Sequence, residues 1–395
     1  MTLMVRDEAD IVSSMLDHHL AQGVDVIIVT DNGSVDGTAE LLEGYAARGL
    51  IDLRHDPVQR KQQSSVVTAM ARDAYTVHGA DWVINADADE FFLPVDRSLT
   101  LHEAFEGIPK SIEAFLVPVT NLTGSAARRG SGVQRLHYRD LRSDAELAAA
   151  GLRAHPTADA VHIGVPDIDV IQGNHFVSLA SKGVPDEAFA LEVLHLPWRS
   201  YEQFRNKVEV SGRAYESNPE LTPSPNHHGM RDYARLKAGL LQHHYLLRHP
   251  DEAELAAGLE AGRYAEERVL ADTVVSAVED EGFSPEEQAE FDTVAPVLRE
   301  AESRFGLLQL RYEALEAESA ATIADLHAEI DAAKARIAEV EATVAERDAR
   351  VLQLEQLDTL TQAHVTSLET RVGELSERWE VRVSNRVRRG GRRAR

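Results

Sequence analysis

Asp81-Trp82-Val83-Ile84-Asn85-Ala86-Asp87-Ala88-Asp89-Glu90-Phe91-Phe92 is the stretch whose reading decides the fold. An apolar run of strand length, 81–86, opens directly into two aspartates at i and i+2. Toward the N-terminus, Thr2–Val5 and 24–30 are two more short apolar runs. Between them Ile11, Val12, Met15, Leu16, His19 and Leu20 recur at helical spacing. A helix over 37–48, a strand over 51–55 and a helix over 64–78 lead back to residue 81. This βαβαβαβ order predicts an α/β fold, a mostly parallel sheet with helices on both faces. In such sheets ligands lie outside the carboxyl ends of the strands.

Three polar segments stand at those ends. Asp87 and Asp89, released from one strand, can converge on a single hard cation such as Mg²⁺ or Mn²⁺, which bridges phosphate oxygens. An isolated pair of this kind is usually a solvated turn; its place at the exit of the fourth strand favours the metal. In Asp31-Asn32-Gly33-Ser34-Val35-Asp36-Gly37-Thr38, the residues Ser34, Asp36 and Thr38 read as turn and cap. Asp31 and Asn32, at the strand's mouth, can hydrogen-bond a base or ribose. Val5-Arg6-Asp7-Glu8 leaves the first strand, and there a helix cap explains Asp7 equally well.

Downstream, 115–119 and 160–163 have strand character, and Val170 and Ile171 can begin another. The Gly/Ser segment 123–132, with Arg128 and Arg129, is expected to be a mobile loop. Segment 218–229, with three prolines beside His227 and His228, reads as a second loop. Residues 250–306 read as helical and acidic. From 307 to 372 there is neither glycine nor proline. Ile323, Ile330, Ile337, Val344, Val351, Val365, Val372 and Trp379 share one heptad phase, interrupted by Asp358. Leu326, Ala333, Val340, Leu354, Leu368 and Leu375 occupy the partner phase, broken by Arg347 and Thr361. β-Branched residues at one core position with leucine at the other favour a parallel two-stranded coil, about 85 Å long at the helical rise. Leu308, Tyr312 and Leu315 lie in another phase, which implies a stutter near residue 319. The resulting division is 1–245 catalytic, 246–306 helical, 307–380 coiled coil and 381–395 basic tail.

The formal charge of −25 argues against nucleic-acid binding. The absence of cysteine excludes disulfides and thiolate metal sites and fits a cytoplasmic setting. No run of about 18 apolar residues and no charged-then-apolar leader pattern is visible. The last fifteen residues hold Arg382, Arg386, Arg388, Arg389, Arg392, Arg393 and Arg395 and no acid. Near an anionic bilayer each is worth about 1 kcal/mol, so a peripheral place at the inner face of the cell membrane is the expectation drawn from them. A solubilising tail explains the same residues.

Met4-Val5-Arg6-Asp7-Glu8, the segment 31–38 and Asp87-Ala88-Asp89-Glu90-Phe91 together resemble glycosyltransferase family 2, most closely its bacterial members with a D-x-D-E-F signature. Such members also carry a later segment, present here as His195-Leu196-Pro197-Trp198-Arg199-Ser200-Tyr201-Glu202-Gln203-Phe204 and followed by Lys207. The likeness covers about 1–245; Asp7 departs from it, since asparagine is more usual there. It implies a GT-A fold, a nucleotide-sugar donor, a glycan or glycolipid acceptor, and Mn²⁺ or Mg²⁺ held by Asp87, Asp89 and His195. It further implies donor contacts from Arg6, Glu8, Asp31, Asn32 and Asp87, with Arg199 and Lys207 neutralising the leaving diphosphate. Gln172-Gly173-Asn174-His175 resembles a further family segment, which places Asn174 and His175 on the acceptor side. His195 also reads as a core histidine, and Arg199 and Lys207 as a polar helix face.

Inverting transfer needs a carboxylate within reach of the acceptor hydroxyl. Asp167, Asp169, Glu187 and Glu192 fall in the plausible stretch. Glu192 faces away from His195 on a strand, and Asp169 is the residue selected. Three rivals remain: a haloacid-dehalogenase-type phosphatase, a nucleotidyltransferase, and a coiled-coil scaffold with an inactive transferase domain.

Overall fold

The computed structural model describes residues 1–58, 63–152, 155–171, 173–217, 228–276 and 278–391. His227 and Gln172 of the sequence motifs lie outside these residues, as do Arg392, Arg393 and Arg395 of the basic tail. The chain forms two compact units, Met1–Arg311 and Tyr312–Arg395.

The first unit begins as the periodicity predicts: β1 (Thr2–Val5), α1 (Val12–Ala21), β2 (Ile28–Asp31), α2 (Thr38–Ala47), β3 (Asp52–His55), α3 (Gln63–Thr76) and β4 (Trp82–Ala86). β5 (Glu90–Pro94) follows after three residues, then α4 (Leu101–Gly107), β6 (Ala114–Val117), β7 (Val119–Thr123), β8 (Tyr138–Asp140), α5 (Asp144–Ala149), β9 (Asp159–Ile163) and β10 (Leu191–His195). The remainder is α6 (Tyr201–Ser217), α7 (His228–Lys237), α8 (Leu241–Leu246), α9 (Glu252–Glu260), β11 (Tyr264–Glu266), α10 (Val269–Thr273) and α11 (Pro285–Gly391).

Two sheets result. The first has the order β3-β2-β1-β4-β9-β6, parallel from β3 to β4 and antiparallel beyond. Its faces are covered as the spacing requires. Met15 and Leu16 of α1 pack with Leu3 and Val29 on one side, while Val67, Met70 and Ala71 of α3 pack on Ile28 and Val83 on the other. The second sheet has the order β11-β8-β7-β10-β5. Val170 and Ile171 do not open a strand; Val170 makes only an isolated bridge to Val177.

β5 is an edge strand, and its free side is closed by two histidines of α1. His18 Nε2–H donates to the Phe92 carbonyl (2.9 Å) and His19 Nε2 accepts from the Phe92 amide (3.1 Å). His19 can accept there because its Nδ1–H donates to Met15 O (2.8 Å). The His19 ring is therefore neutral, and burial holds it well below the usual histidine range; burial lowers His18 as well.

Three expectations change. The segment 123–132 is pinned rather than mobile: Tyr245 Oη donates to Ala127 O (3.0 Å), and Arg128 N donates to Glu281 O (2.7 Å). The boundary at 245 cuts α8, whose Tyr245 packs with Phe204 and Phe291, and β11 completes the second sheet, so 246–306 belongs with the first unit. The boundaries at 306 and 380 fall inside one helix, α11. Along α11 the heptad stripe is open to solvent in the single chain; Ile330, Val344 and Leu368 are 47–50% exposed. No helix among the described residues is long and apolar enough to cross a membrane.

The buried neutral histidines generate a pH dependence. Burial lowers His162, on β9, to about 4 from an ordinary 6.5. The unfolded chain therefore binds more protons between those values. The stability His162 contributes is complete above about 6.5 and is lost as pH falls toward 4, amounting to roughly 2 kcal/mol between pH 7 and 5. Urea unfolding at both values should show His162→Gln losing about that much less than the parent; equal losses would contradict the assignment.

Candidate active site

The parallel strands deliver their carboxyl ends to one edge of the first sheet, and the chain crosses from there into the second sheet through residues 87–89. β5 pairs with β10 in a register that sets Glu90 opposite His195, while β7 sets Asn121 on the other side of His195. The His195 ring consequently stands beside Asp89. Its Nδ1–H donates to Asn121 Oδ1 (2.9 Å), leaving Nε2 3.7 Å from Asp89 Oδ2. Lys207, on α6, brings Nζ to 3.5 Å from the same oxygen, and Arg199 Nη1 also lies at 3.5 Å. Asp89 is 2% exposed, and Oδ2 accepts no hydrogen bond. Burial alone would raise its carboxyl; Lys207, His195 and Arg199 hold it well below the carboxylate range.

Asp87 looks the other way. Its Oδ1 accepts from Gln63 Nε2 (3.3 Å) and Asn174 Nδ2 (3.2 Å). Burial and then Asp89 push this carboxyl up. Glu90, whose Oε2 accepts from Asp87 N (2.9 Å), is pushed up further by burial, Asp87 and Asp159. Among the described residues no three acids or histidines close into a metal cage. The expected trio is thus divided: Asp89 and His195 come together, and Asp87 turns to two amide donors.

Arg199 is not where a diphosphate could meet it. Its side chain is fully buried, with Nε and Nη2 on the Asp10 carboxylate (2.6 and 2.9 Å) and Nη2 also on Glu8. It ties the segment after β1 to Asp89, so the donor contacts expected of Arg199 and Glu8 are corrected to a buried ion cluster. Segment 31–38 braces the same loop. Ser34 Oγ accepts from Asp7 N (3.0 Å), Thr38 Oγ1 from Glu8 N (2.9 Å) and Asp36 Oδ2 from Ala9 N (3.0 Å). Asp7 is not a helix cap: it holds φ 55° and accepts from Val35 N (2.8 Å). Arg6 lies 3.7 Å from Asp7. Asp31 accepts from Gly33 N and Ser34 N (both 3.2 Å), and Asn32 Nδ2 donates to the carbonyls of Asp56 (2.8 Å) and Val58 (3.0 Å). Both are buried, and these bonds shape the exits of β2 and β3.

Asp169 is corrected as well. It is two-thirds exposed and its carboxylate is taken up by Arg72 of α3 at 2.6 Å. The acids near Asp87 are different ones. β9 runs antiparallel to β4, with Ile84 opposite Val161, so its first residue, Asp159, arrives at the edge where β4 ends. Asp159 is fully buried and accepts from His175 Nδ1–H (3.0 Å). Asn174 and His175 do reach the site, on a turn that docks through Ala160 N to Asn174 O (2.9 Å). Asp159 and Asn121 escape a sequence reading, because only the strand register brings them in.

A cavity of about 410 Å³ lies elsewhere, lined by Arg142, Leu152, Arg248, His249, Asp251 and Arg299. Arg142 is paired to Asp140 and Arg248 to Asp232. It shares no residue with the Asp89 site, whose chemistry is the stronger guide.

Residues 2–117 match the sequence profile of glycosyltransferase family 92; the resemblance drawn from the motifs was to family 2. The match supports a glycosyltransferase. No curated protein matches the chain in sequence. Among solved structures, S. aureus TarS 1–349 is 13% identical with a TM-score of 0.29, over 54% of this chain and 65% of that one. TarS 1–349 in complex with UDP gives 13% and 0.29 over 62% and 71%. TarS itself gives 13% and 0.28 over 65% and 44%. At that similarity the likeness carries no argument about this chain.

Proposed function

We propose that the chain is a metal-dependent glycosyltransferase of the GT-A type. It moves a sugar from a nucleoside-diphosphate donor to a hydroxyl of a glycan or glycolipid, with inversion. The observation that carries this reading is Asp89 Oδ2, a buried carboxylate oxygen without a hydrogen-bond donor, facing His195 Nε2 and Lys207 Nζ at the ligand edge of the sheet.

Mn²⁺ or Mg²⁺ fits Asp89 and His195. Asn121 fixes the His195 tautomer that leaves Nε2 with its lone pair, and such cations take few protein ligands and complete their shell with phosphate and water. The site also needs a counter-charge. Among the described residues Arg199 and Lys207 are the permanent cations paired with Asp89, and Arg199 is enclosed. When bound, the cation would supply positive charge for the leaving diphosphate. Lys207 is more than half exposed and points at Asp89, so it can turn from the carboxylate to a phosphate oxygen. Asp31, Asn32 and Arg6 keep the donor side in shape, and UDP is the first nucleotide to try.

Calorimetric titration with UDP and Mn²⁺, and hydrolysis of a panel of UDP-hexoses, test this reading. Chelation should reduce hydrolysis at least a hundredfold, and Mn²⁺ should restore it. Asp89→Asn should lose as much with its melting temperature kept, and Lys207→Ala should weaken UDP binding about tenfold, 1.4 kcal/mol. Undiminished turnover in chelator would remove the metal.

For the second unit we propose a parallel homodimer, since a single helix has nothing to cover the Ile323–Trp379 heptad stripe. Light scattering on the full chain should give twice the chain mass, and Ile337→Asp with Val344→Asp should give one. A monomeric parent would contradict the pairing.

A further inference from the structure

Asp89 is engaged by Lys207 and Arg199, and Asp169, the acid selected from sequence, is exposed and paired with Arg72. A different pair stands beside Asp87. His175 follows two successive residues in the left-handed region, Gly173 at φ 86° and Asn174 at φ 62°. Asn174 anchors this turn to Asp87 through Nδ2 (3.2 Å), so the His175 ring is one residue from a contact with the metal-proximal segment. The ring is one-third exposed, and its inner nitrogen donates to Asp159 Oδ1 (3.0 Å). Asp159 Oδ2 is buried without a hydrogen bond. Because a carboxylate accepts and does not donate, Nδ1 carries the proton, and Nε2 of the neutral ring is the acceptor. Gly173 lies against that edge: a Cβ there would stand 3.2 Å from Nε2, which leaves the nitrogen room that a side chain would narrow.

We propose that His175, oriented by Asp159, is the general base that takes the proton from the acceptor hydroxyl. This inference rests on the glycosyl-transfer reading above. The acceptor oxygen forms its bond to the anomeric carbon as the bond from that carbon to the diphosphate oxygen breaks. The electron pair leaves with the nucleoside diphosphate, and the hydroxyl proton passes to Nε2. Asp159 then faces an imidazolium and stabilises it. Direct displacement of this kind inverts the anomeric centre. The groups facing the ring are Asp159, Asp87 and the Ala158 carbonyl. The hydrogen bond to Asp159 is the largest influence and raises the ring above the ordinary histidine value, burial opposes it, and Asp87 adds to the rise. Deprotonated, the ring can act as the base. Its activity appears as pH rises through that raised value.

The test uses the full chain, Mn²⁺, a UDP-hexose donor and water as the acceptor. His175→Ala and His175→Gln should hydrolyse the donor about 10² to 10⁴-fold more slowly with UDP affinity unchanged, and added imidazole should restore part of the rate to His175→Ala. Asp159→Asn should shift the rising limb of the pH profile to lower pH, which a merely structural role would not do. Nitrogen-15 NMR of the labelled ring should show the Nδ1–H tautomer in the parent, independently of turnover. Full hydrolysis by His175→Gln, an unshifted limb, or an Nε2–H tautomer would overturn the assignment. A parent that binds no nucleoside diphosphate and hydrolyses no nucleotide sugar would instead overturn the glycosyl-transfer reading.

Discussion

Everything in the first unit depends on how the chain crosses from β4 to β5. Three residues join the two sheets, and two of them are aspartates. Both strands are held in place, β4 between β1 and β9, and β5 between β10 and the two histidines of α1. The turn cannot relax toward water, so its acids must be answered where they are. A buried unpaired carboxylate is costly, and each is answered differently: Asp89 by Lys207, His195 and Arg199, and Asp87 by two amides. Glu90, behind them, is pushed toward its neutral form.

That division gives the site two sides. On the Asp89 side the permanent cation is Lys207, brought by α6, which suits a departing diphosphate. On the Asp87 side stand Asn174, His175 and Asp159, brought by β9 and the turn that docks on it. The sugar that changes hands would lie between them. Arg199 belongs to neither side: enclosed among Glu8, Asp10 and Asp89, it keeps the loop after β1 and the loop after β10 at a fixed separation. Segment 31–38 does the same from β2.

Local periodicity made the first four strands and three helices legible, because each is decided by its own apolar spacing. The placement of Asp87, Asp89 and His195 was legible as far as motif order could carry it. What stayed hidden depends on long-range register. Asn121 and Asp159 are unremarkable in sequence and become site residues only when β7 pairs with β10 and β9 runs back along β4. Residues 246–306 looked helical, yet β11 is needed to finish the second sheet. Arg199 sits in a polar motif and reads as a surface cation; three carboxylates from other segments bury it. Asp169 was chosen for its neighbourhood in the chain, whereas Arg72 holds it on α3.

The central claim is that the nucleoside diphosphate binds at Asp89, between the β4–β5 turn and α6. Hydrogen exchange of the full chain, with and without UDP and Mn²⁺, addresses it directly. Slowed exchange is predicted in peptides covering 84–92, 193–199 and 203–208. Protection confined to the cavity lined by Arg142, Arg248 and Arg299, or no protection with saturating ligand, would contradict the account.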